Sequence, residues 1–223
     1  MRGSPEPVVV PTPQGDARVT TYAAPAGPRA TVLLSHGAGG GVDAPDLVAM
    51  AAGLPVHGVD VVLVEQPWRV AGRRLAPAPA RLDEAFVAIV ERLAPPAPFV
   101  LGGRSAGARV ACRTAAALGA DAVLALAFPL CPPGRPDRSR VHELVGSEVP
   151  TLVVQGTRDP FGGPAALPAG SIAVVAVPGA DHGFAVRVRD GGAEAQAAGL
   201  AHAVEETAGW LRRAIDRWPG GNT

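Results

Sequence analysis

The chain has 223 residues, long enough for one well-buried core and short for two, since domains run about 100 to 200 residues. Twenty acidic residues balance twenty basic ones, every basic residue is arginine, and only 18% of the chain is charged. That balance offers neither a basic footprint for nucleic acid nor an acidic tail, and the two cysteines, Cys112 and Cys131, supply neither a disulfide framework nor a metal-ligand spacing.

Residues 1 to 15 carry no apolar stretch of the length a secretory signal needs and are expected to be a loosely ordered extension of a single domain spanning residues 1 to 223. Beyond them, short β-rich runs alternate with longer Ala-rich segments. This is the pattern of a mostly parallel sheet with helices on its faces. The expected strands are Arg18 to Tyr22, Ala30 to Ser35, Val59 to Glu65, Phe99 to Gly102, Ala122 to Phe128, Thr151 to Gln155 and Ile172 to Val177. The later runs are continuously apolar, as strands covered on both faces require. Helices are expected over Asp46 to Leu54, Arg81 to Leu93, Ala106 to Leu118 and Ala193 to Arg217, the last with an apolar stripe of Leu200, Val204, Leu211 and Ile215. The Gly and Pro residues, 28 and 24 in number, punctuate these runs instead of forming repeats, so the Pro-rich stretch Ala76 to Ala80 reads as a loop before a helix. The longest apolar run, Ala122 to Cys131, is about half a membrane span and contains Pro129. A cytoplasmic protein with no membrane contact is the expectation.

Gly103-Arg104-Ser105-Ala106-Gly107 follows directly on the strand Phe99 to Gly102 and opens an Ala-rich helix. A serine on so tight a strand-to-helix turn sits in strained backbone and needs small flanking residues, and the turn lifts Oγ out at the carboxyl edge of the sheet. The alternative is a glycine-rich turn with an incidental serine. A serine hydroxyl is a weak nucleophile and needs a base held by a third group. Asp159, after the strand Thr151 to Gln155, and His182, after the last strand, follow Ser105 in the chain order this chemistry uses. Singly each has a plain explanation, as a turn residue before Pro160 and as a loop histidine; together they fall at the ends of three strands on one sheet edge. Asp181 competes as the orienting acid but is a poorer one, because consecutive side chains on a loop diverge. His57, His142 and His202 lie away from that edge or within the final helix.

Two oxyanion donors are expected. One is the Ala106 N–H at the start of the helix; the other comes from Ser35-His36-Gly37-Ala38-Gly39-Gly40-Gly41, with Ala38 first and Gly39 next. A phosphate-cradling loop is the rival reading, but no Gly-Lys-Ser/Thr follows it. Trp68, Phe161 and Phe184 are candidates for an apolar substrate wall, or for core. Arg104 and Arg158 flank the reactive positions, as binders of an anionic group or as members of structural ion pairs. About twenty residues separate Phe128 from Thr151, too few for a large cap domain.

The segments from Gly102 to Ala111, from Phe128 to Gly134 and from Pro150 to Gly162, above all Gly156-Thr157-Arg158-Asp159-Pro160-Phe161-Gly162, resemble a group of small α/β hydrolases that includes a testis-expressed protein and a subunit of the non-specific-lethal chromatin complex. The resemblance spans Ala30 to Trp210. It implies the α/β-hydrolase fold and, by position, a triad of Ser105, Asp159 and His182; some members act as scaffolds. The chain departs from the pattern at Ala106, where members carry a bulkier residue, at Ala108, where they carry glycine, and at Cys131, where they carry histidine. The functional expectation is a serine hydrolase acting on an ester or thioester. It would need no metal and no cofactor, its partner being a small-molecule acyl substrate, and it would be a monomer or homodimer. A partner-binding domain on the same fold and a lyase using the same three residues are the alternatives.

Overall fold

A computed structural model describes residues 5–96, 98–168, 170 and 172–215. Eight strands form one sheet: β1 (Val8–Thr12), β2 (Gly15–Tyr22), β3 (Ala30–Ser35), β4 (Val59–Glu65), β5 (Phe99–Arg104), β6 (Ala122–Leu126), β7 (Thr151–Gly156) and β8 (Ile172–Val177), in the spatial order β1-β2-β4-β3-β5-β6-β7-β8. The pairs β1–β2 and β2–β4 are antiparallel and the remaining five parallel. Every residue of β3, β6 and β7 is buried, which accounts for their unbroken apolar character.

The helices are α1 (Pro45–Gly53), α2 (Pro67–Val70), α3 (Pro79–Leu93), α4 (Ala106–Thr114), α5 (Val141–Val145) and α6 (Gly192–Ile215). Alternation along the strands divides the core into two layers. Val32 and Leu34 of β3 pack with Leu47 and Met50 of α1 and with Leu200, Val204 and Leu211 of α6. Leu33, one residue out of phase, joins Phe86 and Ile89 of α3 and Val110 and Ala111 of α4 on the opposite face. Burying side chains of this size contributes about 1.5–3 kcal/mol each before the entropy of ordering the chain is subtracted.

Strand β3 lies between β4 and β5, so the chain leaves β3 in one direction and returns to its other side with β5. Such a reversal of strand order opens a crevice at the carboxyl ends of the strands. The loop after β3 and the turn after β5 both border it.

Several boundaries differ from the sequence expectation, each for a local reason. Residues 8–12 are not part of a loose extension: they form the edge strand β1, paired in register from Val8 with Val19 to Thr12 with Gly15, with Val10 buried against the core. β6 stops at Leu126 because Ala127 adopts a left-handed φ of 47° ahead of Pro129. α4 ends at Thr114, its continuation being a turn that closes at Gly119. α6 begins at Gly192; the expected end at Arg217 lies outside the described residues, as do residues 1–4 of the expected extension. Between β6 and β7 stand only a short 3-10 turn at Pro136–Arg138 and α5. Among the described residues no helix is long and apolar enough to cross a membrane.

Candidate active site

Ser105 joins β5 to α4 with φ 53° and ψ −107°, a strained conformation for a residue with a side chain. Its N–H donates to Leu126 O at 2.9 Å, which ties the turn to β6. A methyl group at Gly107 would fall on the carbonyl of Ser35, and one at Gly103 would lie 2.5 Å from the same oxygen. Both glycines are therefore required by the close passage of β3 under the turn. Ala106 is the first residue of α4, where N–H groups have no partner within the helix and point toward whatever lies beyond its end.

The loop after β8 brings His182 Nε2 to 2.9 Å from Ser105 Oγ, and the loop after β7 brings Asp159 Oδ2 to 2.8 Å from His182 Nδ1. A carboxylate only accepts, so Nδ1 carries the proton and donates it to Asp159, which leaves Nε2 free to accept from the serine hydroxyl. The Asp159 side chain is fully shielded from solvent and that of His182 is 20% exposed. Asp159 is itself held on both oxygens: Oδ1 accepts from Phe161 N at 2.8 Å and Oδ2 from Gln155 Nε2 at 2.9 Å. Gln155 donates also to Gly162 O and Phe128 O, so one buried amide ties the loop after β6 to the loop after β7. Asp181 does not bond the histidine; its Oδ1 accepts from Gly183 N and Ala185 N and shapes the turn.

Ala38 and Gly39 lie exposed on the loop after β3. The loop is fixed by His36, whose importance the sequence pattern did not signal beyond its adjacency to Gly37. His36 Nδ1 donates to Gly37 O at 2.9 Å while Nε2 accepts from Gln66 N at 3.0 Å, which ties the loop to the end of β4. Burial lowers the His36 pKa from its usual 6.5, against the backbone bond to Gly37 and the charge of Glu65, which raise it. The neutral ring is the form that can accept from Gln66.

The three aromatic candidates separate. Phe161 is half-buried with its ring centroid 4.3 Å from that of His182, at the edge of the site. Trp68 is buried, edge-on to His36 at 5.5 Å, and lines a cavity of about 10 Å³ with His36, Ala38, Ala106 and Val110. Phe184 does not form a substrate wall: it is fully buried in the α1–α6 layer, because a φ of 59° turns its side chain inward. Arg158 pairs with Asp190 at 3.5 Å, and Arg104 pairs with Asp46 at 3.2 Å. His57 faces Glu205 on the surface; His142 and His202 are exposed. Cys112 and Cys131 are free thiols; Cys112 is buried, and burial followed by the charge of Glu143 pushes it up to about 12. Among the described residues no cluster of His, Cys, Asp or Glu could hold a metal ion.

A serine raised on a strand-to-helix turn at the carboxyl edge of a mostly parallel sheet, with helices on both faces, defines the α/β-hydrolase fold. The chain belongs to the family described as an alpha/beta hydrolase domain, whose model matches residues 28–212. Among curated proteins no sequence matches it. Solved structures do. An α/β serine hydrolase without a lid from Xanthomonas campestris is 20% identical, covers 100% of this chain and 99% of its own, and has a TM-score of 0.68. An α-β serine hydrolase homologue from Coxiella burnetii is 17% identical over 92% of this chain and 97% of its own, with a TM-score of 0.69. A dienelactone hydrolase from Anabaena variabilis is 20% identical over 94% and 98%, with a TM-score of 0.68.

Proposed function

We propose that the protein is a serine hydrolase that cleaves a carboxylic ester or thioester through an acyl-Ser105 intermediate. The observation that carries this reading is the pair of hydrogen bonds in line, Ser105 Oγ to His182 Nε2 at 2.9 Å and His182 Nδ1 to Asp159 Oδ2 at 2.8 Å. A partner-binding domain would need neither.

In the first half-reaction Ser105 Oγ attacks the substrate carbonyl carbon while its proton passes to His182 Nε2. Asp159 stabilises the imidazolium and keeps the ring oriented. The carbonyl oxygen gains the negative charge and is met by the N–H groups of Ala106 and Ala38, with Gly39 beside them. Preorganised donors of this kind contribute about 3–4 kcal/mol each to lowering the barrier. The tetrahedral species collapses, the C–O or C–S bond breaks, and the leaving group takes the proton from His182. Water then repeats the sequence on the acyl-serine, giving the acid and free Ser105.

The named activities of the fold neighbours, serine hydrolase and dienelactone hydrolase, support the reaction class. The Gly156-to-Gly162 run supports a nearer kinship with the testis-expressed and non-specific-lethal group. Phe161, beside His182, is the apolar surface we assign to the substrate. The test is a panel of short- and long-chain p-nitrophenyl esters and acyl thioesters, with intact mass measured under slow turnover. Hydrolysis with an acyl adduct on the protein is expected. Folded protein that turns over no ester or thioester would contradict the proposal.

A further inference from the structure

We infer that Arg104, held by the buried Asp46, is a positioning residue that fixes the base to the nucleophile by gripping the main chain of the histidine loop. The inference rests on the hydrolase reading only for its kinetic consequence; its geometric content stands apart from that reading.

Arg104 immediately precedes Ser105, so its backbone is part of the strained turn. Its side chain crosses the crevice, where Nη2 donates to His182 O at 2.7 Å. A methyl group placed on Gly183 would lie 3.8 Å from the same Nη2, and one on Gly37 would lie 3.2 Å from Nη1. The guanidinium therefore sits among the serine turn, the loop that carries Ala38 and the loop that carries His182. Nε contacts Asp46 Oδ1 at 3.2 Å, with side-chain exposures of 14% for Arg104 and 1% for Asp46. The contact is an ion pair whose geometry falls short of an aligned hydrogen bond.

A buried carboxylate in such a setting is costly. Burial raises the Asp46 pKa above its usual value, and the charge of Arg104 opposes that shift. Continuum and mutational arguments put such pairs at or below the stability of apolar replacements, so stability alone does not account for the pair. The geometry does. Asp46 is in the first turn of α1, which packs against β4 and α6, and gives the guanidinium a fixed anchor. The imidazole ring must meet Ser105 on one nitrogen and Asp159 on the other. Its ring atoms are held by those two bonds, but its main chain is held by Arg104. With Nη2 on a carbonyl and Nε on Asp46, two of the three guanidinium nitrogens are committed to the protein.

The experiment compares wild type with Arg104→Met, Arg104→Lys and the double variant Arg104→Met/Asp46→Leu. The first readout is the ¹⁵N spectrum of the neutral His182 imidazole, which reports the tautomer without any substrate. The second is kcat and KM on a generic ester, beside the melting temperature. In wild type the ring is expected to be the Nδ1–H tautomer. Arg104→Met and the double variant should show a mixture with the Nε2–H form that a free imidazole prefers. They should also lose about 10- to 100-fold in kcat with KM little changed, the scale of a roughly 1 Å misplacement. The double variant, which leaves no unpaired buried charge, should melt no lower than wild type. Arg104→Lys, with one donor for the carbonyl, should recover part of the tautomer preference and of kcat. A folded Arg104→Met or double variant that keeps the wild-type tautomer overturns the inference, whatever its rate. A wild type that shows the Nδ1–H tautomer and hydrolyses nothing would count against the hydrolase reading and leave the positioning role to be decided by the variant spectra. Should Arg104→Met fail to fold, the double variant decides.

Discussion

Two carboxylates compete for His182, and their hydrogen bonds distinguish them. Asp159 gives Oδ2 to the imidazole and Oδ1 to Phe161 N, whereas Asp181 gives Oδ1 to two amides of its own turn. Asp159→Asn keeps the shape, removes the charge and favours the wrong tautomer, so kcat is expected to fall by about 10⁴. Asp181→Asn should stay within about tenfold of wild type, because an asparagine oxygen accepts the same two turn bonds. Rates of the two purified variants on one ester settle the order, and the reverse ranking would make Asp181 the orienting acid. Ser105, Asp159 and His182 are legible in the sequence because each follows a strand of the same edge. His36, Asp46 and Gln155 are not. His36 and Gln155 act through buried bonds to main chain and Asp46 through a buried charge contact with Arg104, and a lone polar residue beside a strand carries no mark of such a partner. Of the two readings open for Phe184 the structure has core, and the positive φ of this loop aromatic leaves no trace in residue type.

Among the elements, the turn from β5 to α4 tolerates little change. A methyl group on Gly107 meets the carbonyl of Ser35 and approaches that of His36, both backbone atoms of the strand and loop beneath it. Gly107→Ala is therefore expected to cost about 1–3 kcal/mol of unfolding free energy, the range of overpacked sites. It should also impair turnover, because the displaced residues include the loop that carries Ala38. Urea denaturation checks the first part, and a variant as stable as wild type would mean that β3 can withdraw. β3, β6 and β7 read clearly from sequence because strands covered on both faces are apolar throughout; β8 falls on its expected residues as well, although at the sheet edge its Val174 and Ala176 are exposed. β1 does not read as a strand. Pro11 within it removes a ladder donor, and only an edge position, which β1 occupies, accommodates that loss. α2 and α5, of four and five residues, are too short to show a helical period.

At the scale of the whole molecule, the switch in strand order around β3 opens the carboxyl edge of the sheet, where the loops after β3, β5, β7 and β8 meet. His36 couples that edge to global stability. Its folded pKa lies below the usual 6.5, so the unfolded chain binds the proton more readily; its contribution is complete above that value and is lost as pH falls through the lowered one. Asp46 acts with the opposite sign, since a carboxyl pKa raised above 3.8 withdraws stability above the raised value and restores it as pH falls through it. The excess in melting temperature of wild type over His36→Gln should therefore shrink between about pH 7 and pH 5, since Asp46 contributes equally to both proteins. A difference between the two proteins that stays constant over that range would show that His36 is not held neutral by the fold. The central claim is that Ser105 is a nucleophile activated by His182. Intact mass spectrometry after treatment with a fluorophosphonate tests it most directly. Wild type should gain a single phosphonyl adduct, mapped to Ser105, while folded Ser105→Ala gains none; equal labelling of the two proteins would contradict it.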